Sequence, residues 1–333
     1  MYPAAPAERD RFILERRGPR TSHDPWRYQD LIVEDERIAR GSIARIATVF
    51  LTGRECPWRC AMCDLWRYTT STDTPAGAIP AQIASARLAL EEQHEHVAHM
   101  KLYNAGNFFD PRAVPEGDYH AIAAALAGFD RVIVESHPSL IGSRVDLFLE
   151  ALDARHVQRD RSIQLEVAMG LETANPNALE RLNKRMTVEA FAAAAEGLKS
   201  RGVALRVFLL ISPPFVLPDD QHAWLLRSID VAFSCGATVV SLVPTRPGNG
   251  ATEALAADGY FRAPQLEDIE RSIEAAQARF DQGIVLVDIW DLERFARCPH
   301  CFEARRARLH AMNLEQRVLP PTSCLHCGCG VAA

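Results

Sequence analysis

The chain has 333 residues, of which 48% are hydrophobic and 24% are charged, so it can bury a sizeable core and has the composition of neither a disordered chain nor a membrane protein. Its net charge of −6 argues against a protein that coats nucleic acid through a global positive field, although a local basic patch stays open. The sequence does not open with a basic region followed by an apolar one, and no apolar run reaches about 18 residues, so we expect a cytoplasmic protein without a membrane span.

The first part of the chain is predicted to be an extension. Residues 1–40 are polar and charged, contain several prolines and have only short apolar groups. Such a segment has too little apolar periodicity to form its own core, so we expect it to pack on a core built elsewhere.

Residues 41–250 alternate between strand and helix patterns. Short β-branched or aliphatic runs predict six strands, at 43–51, 99–105, 131–136, 162–170, 204–212 and 238–244. Alanine-rich patterns predict five helices between them, at 79–93, 118–129, 143–154, 187–202 and 220–236. This alternation implies parallel strands joined by right-handed crossovers. An open doubly wound sheet fits the count, but even strand spacing and the lack of a glycine-rich fingerprint favour an α/β fold with a partial (β/α)6 barrel of the TIM type.

Eight of the nine cysteines fall into two tight groups, and Cys235 stands alone. In a reducing compartment, clustered cysteines are more often metal ligands than disulfides. The first group, Cys56, Cys60 and Cys63, has the spacing C-x3-C-x2-C directly after the first predicted strand. Three thiolates can hold three corners of a four-iron cluster and leave one metal position open. A three-ligand zinc site and three buried structural thiols are the alternatives.

This cysteine spacing, after the first strand of a partial barrel, resembles the radical S-adenosylmethionine (SAM) superfamily. The resemblance implies that the three cysteines ligate a [4Fe-4S] cluster, whose fourth iron chelates the amino and carboxylate groups of the methionyl part of SAM. It also implies that SAM is reductively cleaved to a 5′-deoxyadenosyl radical, which abstracts a hydrogen from the substrate. A reducing electron donor of the flavodoxin or ferredoxin type is then an expected partner.

Four more motifs follow in the order found in one branch of that superfamily, which contains the archaeosine radical enzyme and the elongator catalytic subunit. They are YNAGNFFDP, VESHP, GLETANPNALERLNKRMT and LLISPPF, and the resemblance covers about residues 43–250. Because functional groups of barrels lie at the carboxyl ends of strands, the resemblance predicts five cofactor contacts, namely Asn104, Gly106, Glu135, Glu172 and Arg206. The first two depart from the usual Gly-Gly-Glu-like form, and an acidic residue at a strand end can instead be a helix cap or a solvated charge.

Residues 251–333 are predicted to form a helical and cysteine-rich C-terminal module. Two C-x2-C pairs, Cys298 with Cys301 and Cys324 with Cys327, are separated by about 22 residues, and Cys329 is a spare cysteine of this group. This spacing fits a closed tetrahedral zinc site. An auxiliary iron–sulfur cluster held by the same thiolates is the alternative.

The substrate class stays open between two possibilities. A transfer RNA nucleoside is suggested by the family branch and by an arginine cluster between the cysteine pairs, which consists of Arg305, Arg306, Arg308 and Arg317. A small metabolite is suggested by the net charge and by the lack of a separate RNA-binding domain, with the arginines then forming a solvated helix face. A third, non-enzymatic interpretation is a zinc-linked scaffold protein.

Overall fold

The sheet contains eight strands within the residues that the computed structural model describes, which are 1–104, 106–154 and 162–328. In chain order the strands are β1 Asp30–Ala39, β2 Ser42–Leu51, β3 His99–Asn104, β4 Arg131–Glu135, β5 Gln164–Glu172, β6 Ala204–Ile211, β7 Val239–Pro244 and β8 Ile284–Val287. Each strand pairs with the next one along the chain. The first pair, β1 with β2, is antiparallel, and the other six pairs are parallel.

Helices connect and flank these strands. Those within the described residues are α1 Pro6–Leu14, α2 Ala78–Glu92, α3 Tyr119–Ala125, α4 Ser143–Asp153, α5 Pro176–Arg181, α6 Val188–Lys199, α7 Gln221–Ser234, α8 Ala251–Ala257, α9 Leu266–Arg279 and α10 Pro299–Glu315. Thr187 caps α6, because its side chain accepts a hydrogen bond from the backbone N–H of Ala190 (3.2 Å) at the start of that helix.

The sheet curls into a nearly closed barrel. Its edge strands β1 and β8 contact each other, and α10 packs against both of them. The predicted α/β barrel-like fold is therefore confirmed, and the six predicted strands are β2 to β7. The prediction of six strands is wrong in number, since β1 and β8 complete the sheet.

The two missed strands lack the pattern used to find the others. The sequence of β1, DLIVEDERIA, is rich in acidic residues, and one of them, Glu36, is buried inside the barrel against basic partners. The strand β8 has only four residues and is followed at once by a loop. A charged interior strand and a very short one both fall outside the apolar alternation that marks ordinary strands.

Strand alternation decides which side chains enter the barrel. In β3, Met100 and Leu102 pack outward in the core between sheet and helices, whereas Lys101 and Tyr103 line the interior. Burying an aliphatic side chain of this size stabilises the fold by about 1.5–3 kcal/mol. The outward faces therefore hold the barrel together, and the interior is left for polar side chains.

Charged side chains form a floor at the amino-terminal end of the barrel. Arg206 donates from Nε to Glu166 (2.7 Å) and from Nη2 to Glu36 (2.7 Å). Lys101 also donates to Glu36, and Arg131 donates to Glu166 (2.8 Å). Burial alone would raise the pKa of Glu36, but Arg206 and Lys101 hold it at about 2. Removing one partner from such a buried network costs about 3–5 kcal/mol, so the floor depends on every member.

The floor corrects one predicted cofactor contact. Arg206 is the third residue of β6, so it lies towards the amino-terminal end of that strand, away from the carboxyl end where barrel sites are built. Its guanidinium is 3% exposed and is already held by two carboxylates. We therefore assign Arg206 to the floor and do not keep it among the candidate cofactor contacts.

Candidate metal and cofactor site

The first three cysteines lie on the loop after β2, which we call the cysteine loop (residues 52–68). Two asparagines from other parts of the chain fix its backbone. Asn183 donates from Nδ2 to the carbonyl of Arg59 (2.7 Å), and Asn249 donates to the carbonyls of Ala61 (2.9 Å) and Cys63 (3.2 Å). The loop is thus held to the elements that follow β5 and β7.

The N-terminal segment covers the cysteine loop. Tyr2 and Phe12 pack in one apolar cluster with Ala61 of the loop. Arg17, just after α1, donates to the carboxylate of Glu55 (2.7 Å) beside the first cysteine. This packing shields one side of the loop from water.

Burial governs the acidity of the three thiols. It raises the pKa of Cys63 to about 12, that of Cys60 well above its usual value, and that of Cys56 as well. Thiols that stay protonated are weak nucleophiles. A bound metal cation replaces the thiol proton, so the environment suits metal ligands better than a nucleophilic cysteine.

One thiol already has a hydrogen-bond donor. Asn107 donates from Nδ2 to the sulfur of Cys56 (3.2 Å), and its Oδ1 accepts from the backbone N–H of His137 (2.7 Å). Donors to ligand sulfurs tune iron–sulfur centres. The sequence did not single out Asn107, whose only signal is its place within YNAGNFFDP.

An aromatic stack ties the cysteine loop to β4. The ring of Trp58, between the first two cysteines, lies 3.8 Å from the ring of His137 with an angle of 8° between their planes. Burial lowers the pKa of His137 to about 4, so the imidazole is neutral near pH 7. Its Nε2 lies 2.9 Å from the carbonyl oxygen of Lys184.

Three predicted cofactor contacts lie together at the ends of β3 and β4. The backbone N–H of Asn104 donates to the carboxylate of Glu135 (3.1 Å). The side-chain amide of Asn104 is buried, and neither its nitrogen nor its oxygen has a hydrogen-bond partner within the described part of the chain. A Cβ on Gly106 would lie 2.5 Å from the carbonyl oxygen of Arg54, so this position needs a glycine. The unpaired side-chain amide of Asn104 indicates that a ligand binds there, because buried polar groups without a hydrogen-bond partner are unfavourable.

The fourth predicted contact, Glu172, lies at the end of β5 and accepts a hydrogen bond from the ammonium of Lys184. Sequence reasoning missed Lys184, which lies within the motif GLETANPNALERLNKRMT. Its sequence position gives no sign that the loop after α5 returns to the site.

One cavity joins these groups. It has a volume of about 730 Å³ and is lined by the three cysteines, by the strand-end residues and by an aromatic layer deeper in the barrel. That layer consists of Phe50, Tyr103, Phe208 and Trp290. A cavity of this size accommodates a cofactor-sized ligand, since ligand sites commonly enclose about 300–1,000 Å³.

The substitution Glu135→Gln is expected to raise the melting temperature more at pH 8 than at pH 6. Burial raises the pKa of Glu135 from 4.5 to about 8. Between these values the unfolded chain has lost a proton that the folded chain keeps, so stability falls as pH rises through this window and levels off above about pH 8. Glutamine has no such proton. Scanning fluorimetry of the full chain before cluster reconstitution measures the effect, and equal shifts at both pH values would contradict a buried neutral carboxyl.

The second cysteine group comes together as predicted. The sulfur atoms of Cys298, Cys301, Cys324 and Cys327 all lie within 4.8 Å of one another. The sulfurs of Cys301 and Cys327 are 3.8 Å apart. Across residues 1–104, 106–154 and 162–328, this is the one group of three or more histidine, cysteine or acidic side chains placed to hold a single metal ion.

Two histidines near this group are paired with each other. The rings of His300 and His326 stack with their centroids 3.9 Å apart. Four thiols complete a tetrahedral site without a histidine. Cys329, a spare cysteine in the sequence, lies outside the described residues.

Two of the four residues of the arginine cluster are engaged within the protein. Arg305 is 3% exposed and binds Glu267 and Glu270, while Arg308 is 7% exposed and binds Glu274 and two backbone carbonyls. The expectation that all four arginines are available to bind phosphates is therefore wrong for Arg305 and Arg308. They instead hold α10 against α9.

The fold and the cysteine loop agree with the class of protein that the sequence resembles. A nearly closed β/α barrel carries three cysteines directly after its first parallel strand, and the strand-end motifs surround the same cavity. These are the features by which the sequence resembles the radical SAM superfamily. No family model matches the chain.

Relatives and a solved structure agree with this class. The chain is 27% identical over 274 residues to archaeosine synthase subunit beta of Methanosarcina acetivorans, which covers 78% of this chain and 74% of that protein. It is 28% identical over 168 residues to the subunit of the same name from Thermococcus kodakarensis, which covers 48% of each. The fold is shared with Elp3 of Methanocaldococcus infernus, at a TM-score of 0.52 and 13% identity. The match covers 70% of this chain and 59% of that Elp3 chain.

These comparisons confirm the predicted resemblance to the radical SAM superfamily and to the branch with the archaeosine enzyme and Elp3. The relatives named archaeosine synthase subunit beta favour an enzyme over the scaffold interpretation. In the described residues, no helix has the length and apolar character needed to cross a membrane.

Proposed function

We propose that this enzyme binds a [4Fe-4S] cluster through Cys56, Cys60 and Cys63 and binds SAM in the adjoining cavity. The observation that carries the proposal is that one cavity joins the three buried thiols to the orphaned amide of Asn104. The residues fit the cluster and SAM. Three thiols leave one metal position open for the cofactor, and the side-chain amide of Asn104 can bind it without breaking a hydrogen bond within the protein.

Each residue at the strand ends then has a part in holding the cofactor. Asn104 pairs its free amide with SAM, and Gly106 leaves space for it. Glu135, neutral at pH 7 in the free site, ionises and accepts a hydrogen bond when the methionyl ammonium binds beside it. The aromatic layer below keeps water away from the reacting atoms.

The two bound groups supply the reaction itself: reductive cleavage of SAM to a 5′-deoxyadenosyl radical, which abstracts a hydrogen from the substrate. We propose a flavodoxin or ferredoxin type of protein as the electron donor. Anaerobic reconstitution with iron and sulfide should give a brown protein that releases 5′-deoxyadenosine from SAM under dithionite. A colourless protein that leaves SAM intact would overturn the proposal.

For the substrate, we propose a nucleoside of transfer RNA. The support is the likeness to proteins named archaeosine synthase subunit beta, which spans most of both chains. Filter binding of bulk transfer RNA should show retention at about 50 mM salt and a strong loss at about 200 mM, because phosphate contacts release counterions. Absence of retention at the lower salt would favour the second candidate.

The second candidate is a small metabolite. It is favoured by the internal pairing of Arg305 and Arg308 and by the net charge of −6, both of which weaken the case for an RNA surface on this chain. Loss or accumulation of one metabolite in cells that lack the protein would support it.

For the C-terminal cysteine group, we propose a structural zinc ion. Zinc–sulfur bonds of about 2.3 Å in a tetrahedron place the sulfurs about 3.8 Å apart, which is the separation of Cys301 and Cys327. In an iron–sulfur cluster each thiolate binds a different iron, which requires wider spacing. We also propose a cytoplasmic location, since cysteines grouped to hold metals are typical of a reducing compartment.

A further inference from the structure

Asn107 is a buried amide between the cysteine loop and the end of β4. It lines the cavity and is 5% exposed. Its Nδ2 lies 3.2 Å from the sulfur of Cys56, and its Oδ1 lies 2.7 Å from the backbone nitrogen of His137. One side chain therefore connects a proposed cluster ligand to the main chain that follows β4.

The chemistry of its two partners fixes the orientation of this amide. A side-chain amide can be turned by 180°, which exchanges its donor and its acceptor. The backbone N–H of His137 can only donate, so it requires the oxygen of Asn107 on its side. The nitrogen of Asn107, with its two hydrogens, then faces the sulfur of Cys56. Neither the amide nor the backbone N–H titrates, so Asn107 is a donor to this sulfur at every pH at which the protein is folded.

Contacts on both sides hold this donor in place. The backbone N–H of Phe108 donates to a carbonyl at the end of β4 (2.9 Å), and the carbonyl of Asn107 accepts from the backbone N–H of Asp110 (3.1 Å). The ring of His137 stacks on Trp58 of the cysteine loop. The donor and the loop that carries its acceptor are thus tied to the same strand end, so the hydrogen bond needs no rearrangement to form.

Negative charge on the sulfur of Cys56 is stabilised by its donors. Burial raises the pKa of Cys56, and hydrogen bonds from the backbone of Trp58 and from Asn107 oppose that rise. A cluster is more negative after it accepts an electron, so such donors stabilise its reduced form more than its oxidised form. Cys63 receives a backbone N–H, from Leu65, whereas one donor to Cys56 is a side chain that a substitution can remove.

We propose that Asn107 raises the reduction potential of the [4Fe-4S] cluster through its hydrogen bond to Cys56. The inference rests on the proposed function. One electron passes from the proposed flavodoxin or ferredoxin type of donor to the cluster, and the hydrogen bond makes that transfer more favourable without moving a proton. Asn107 acts through the ligand sulfur, so it is a positioning residue and not a catalytic one.

The test measures the potential of the cluster in two variants. Asn107→Leu has nearly the same size and removes the donor, whereas Asn107→Asp keeps an acceptor for His137 but places a carboxylate oxygen opposite the sulfur. A redox titration of the anaerobically reconstituted full chain follows the reduced cluster by electron paramagnetic resonance. At a fixed potential, the ratio of reduced to oxidised cluster should fall about three- to tenfold in Asn107→Leu, a shift of about 30–60 mV for one electron. In Asn107→Asp it should fall at least as far, because the carboxylate adds negative charge.

A matched control is available on the same loop. Asn249 is also a buried amide, and it holds the cysteine loop through the backbone carbonyls of Ala61 and Cys63 rather than through a sulfur. Asn249→Leu should lower the melting temperature but keep the wild-type potential in the clusters that it binds.

A second measurement separates an effect on the potential from damage to the loop. With reduced flavodoxin as the electron donor, Asn107→Leu should form 5′-deoxyadenosine more slowly than the wild type. The stronger reductant titanium(III) citrate should restore most of the rate, because it supplies the missing driving force. An equal loss of rate with both reductants would contradict the inference.

The potentials decide the remaining cases. A wild-type potential in Asn107→Leu, or a potential in Asn107→Asp at or above that of the wild type, would overturn the inference. Loss of iron from both variants would show that Asn107 is needed to hold the cluster, and it would overturn the inference as well. Wild-type protein without a reducible cluster would instead overturn the proposed function. Iron content and the melting temperature of each variant distinguish these results.

Discussion

The substitution Cys60→Ala is expected to reduce formation of 5′-deoxyadenosine to the level seen without protein. Cys60 lies between the other two cysteines of the loop, and two thiols cannot hold three corners of a [4Fe-4S] cluster. Without the cluster no electron reaches SAM. The measurements are iron and sulfide content, the visible spectrum of the reconstituted protein, and chromatographic detection of 5′-deoxyadenosine under dithionite.

A matched control comes from the isolated cysteine. Cys235 lies at the end of α7, is half-buried, and is not among the residues that line the cavity. Cys235→Ala should keep wild-type iron content and wild-type product. If purified Cys60→Ala protein makes 5′-deoxyadenosine at the wild-type rate, the assignment of the cysteine loop is wrong.

The local pattern of apolar residues predicted most strands of the barrel, whereas β1 depends on ion pairs between residues that are distant in the chain. The strands β2 to β7 each carry an aliphatic run that shows in the sequence alone. The sequence did not predict β1, because its buried residue Glu36 is stabilised by ion pairs with Lys101 and Arg206, which are distant in the chain. The pattern of apolar residues within one segment does not indicate such a distant partner.

The site was predicted where its residues follow a strand and missed where they come from a distant loop. Asn104, Glu135 and Glu172 lie at the carboxyl ends of β3, β4 and β5, which were predicted, so their convergence at one rim was expected. Lys184 reaches that rim only through a loop in which both of its neighbours have left-handed backbone, which the sequence does not indicate. The assignment of Arg206 to the cofactor is not kept for another reason. Its side chain points into the barrel, but it is the third residue of β6 and therefore lies near the amino-terminal end, as its position in the strand could have shown.

Loss of one C-terminal thiol, by Cys298→Ser, is expected to remove one zinc ion per chain and to lower the melting temperature by about 5 °C or more. Cys298 directly precedes α10, which packs against the two edge strands of the barrel, β1 and β8. The other pair, Cys324 and Cys327, returns the chain to the start of this helix. Without the metal, the segment with Cys324 and Cys327 is no longer held at the start of α10, and limited proteolysis should cut between residues 317 and 328.

A variant that lacks the cysteine-loop ligands identifies the metal at this second site. The triple substitution Cys56→Ala, Cys60→Ala and Cys63→Ala should hold one zinc and no iron by elemental analysis, and it should stay colourless after anaerobic reconstitution. Four sulfur atoms within 4.8 Å of one another are spaced to hold a single ion, whereas the thiolates of a [4Fe-4S] cluster each bind a different iron. Iron and a brown colour in this variant would instead assign an auxiliary cluster to the C-terminal cysteines, and Cys298→Ser would then abolish that iron. Because the two cysteine groups are substituted in separate variants, the metal found at one site does not depend on the result at the other.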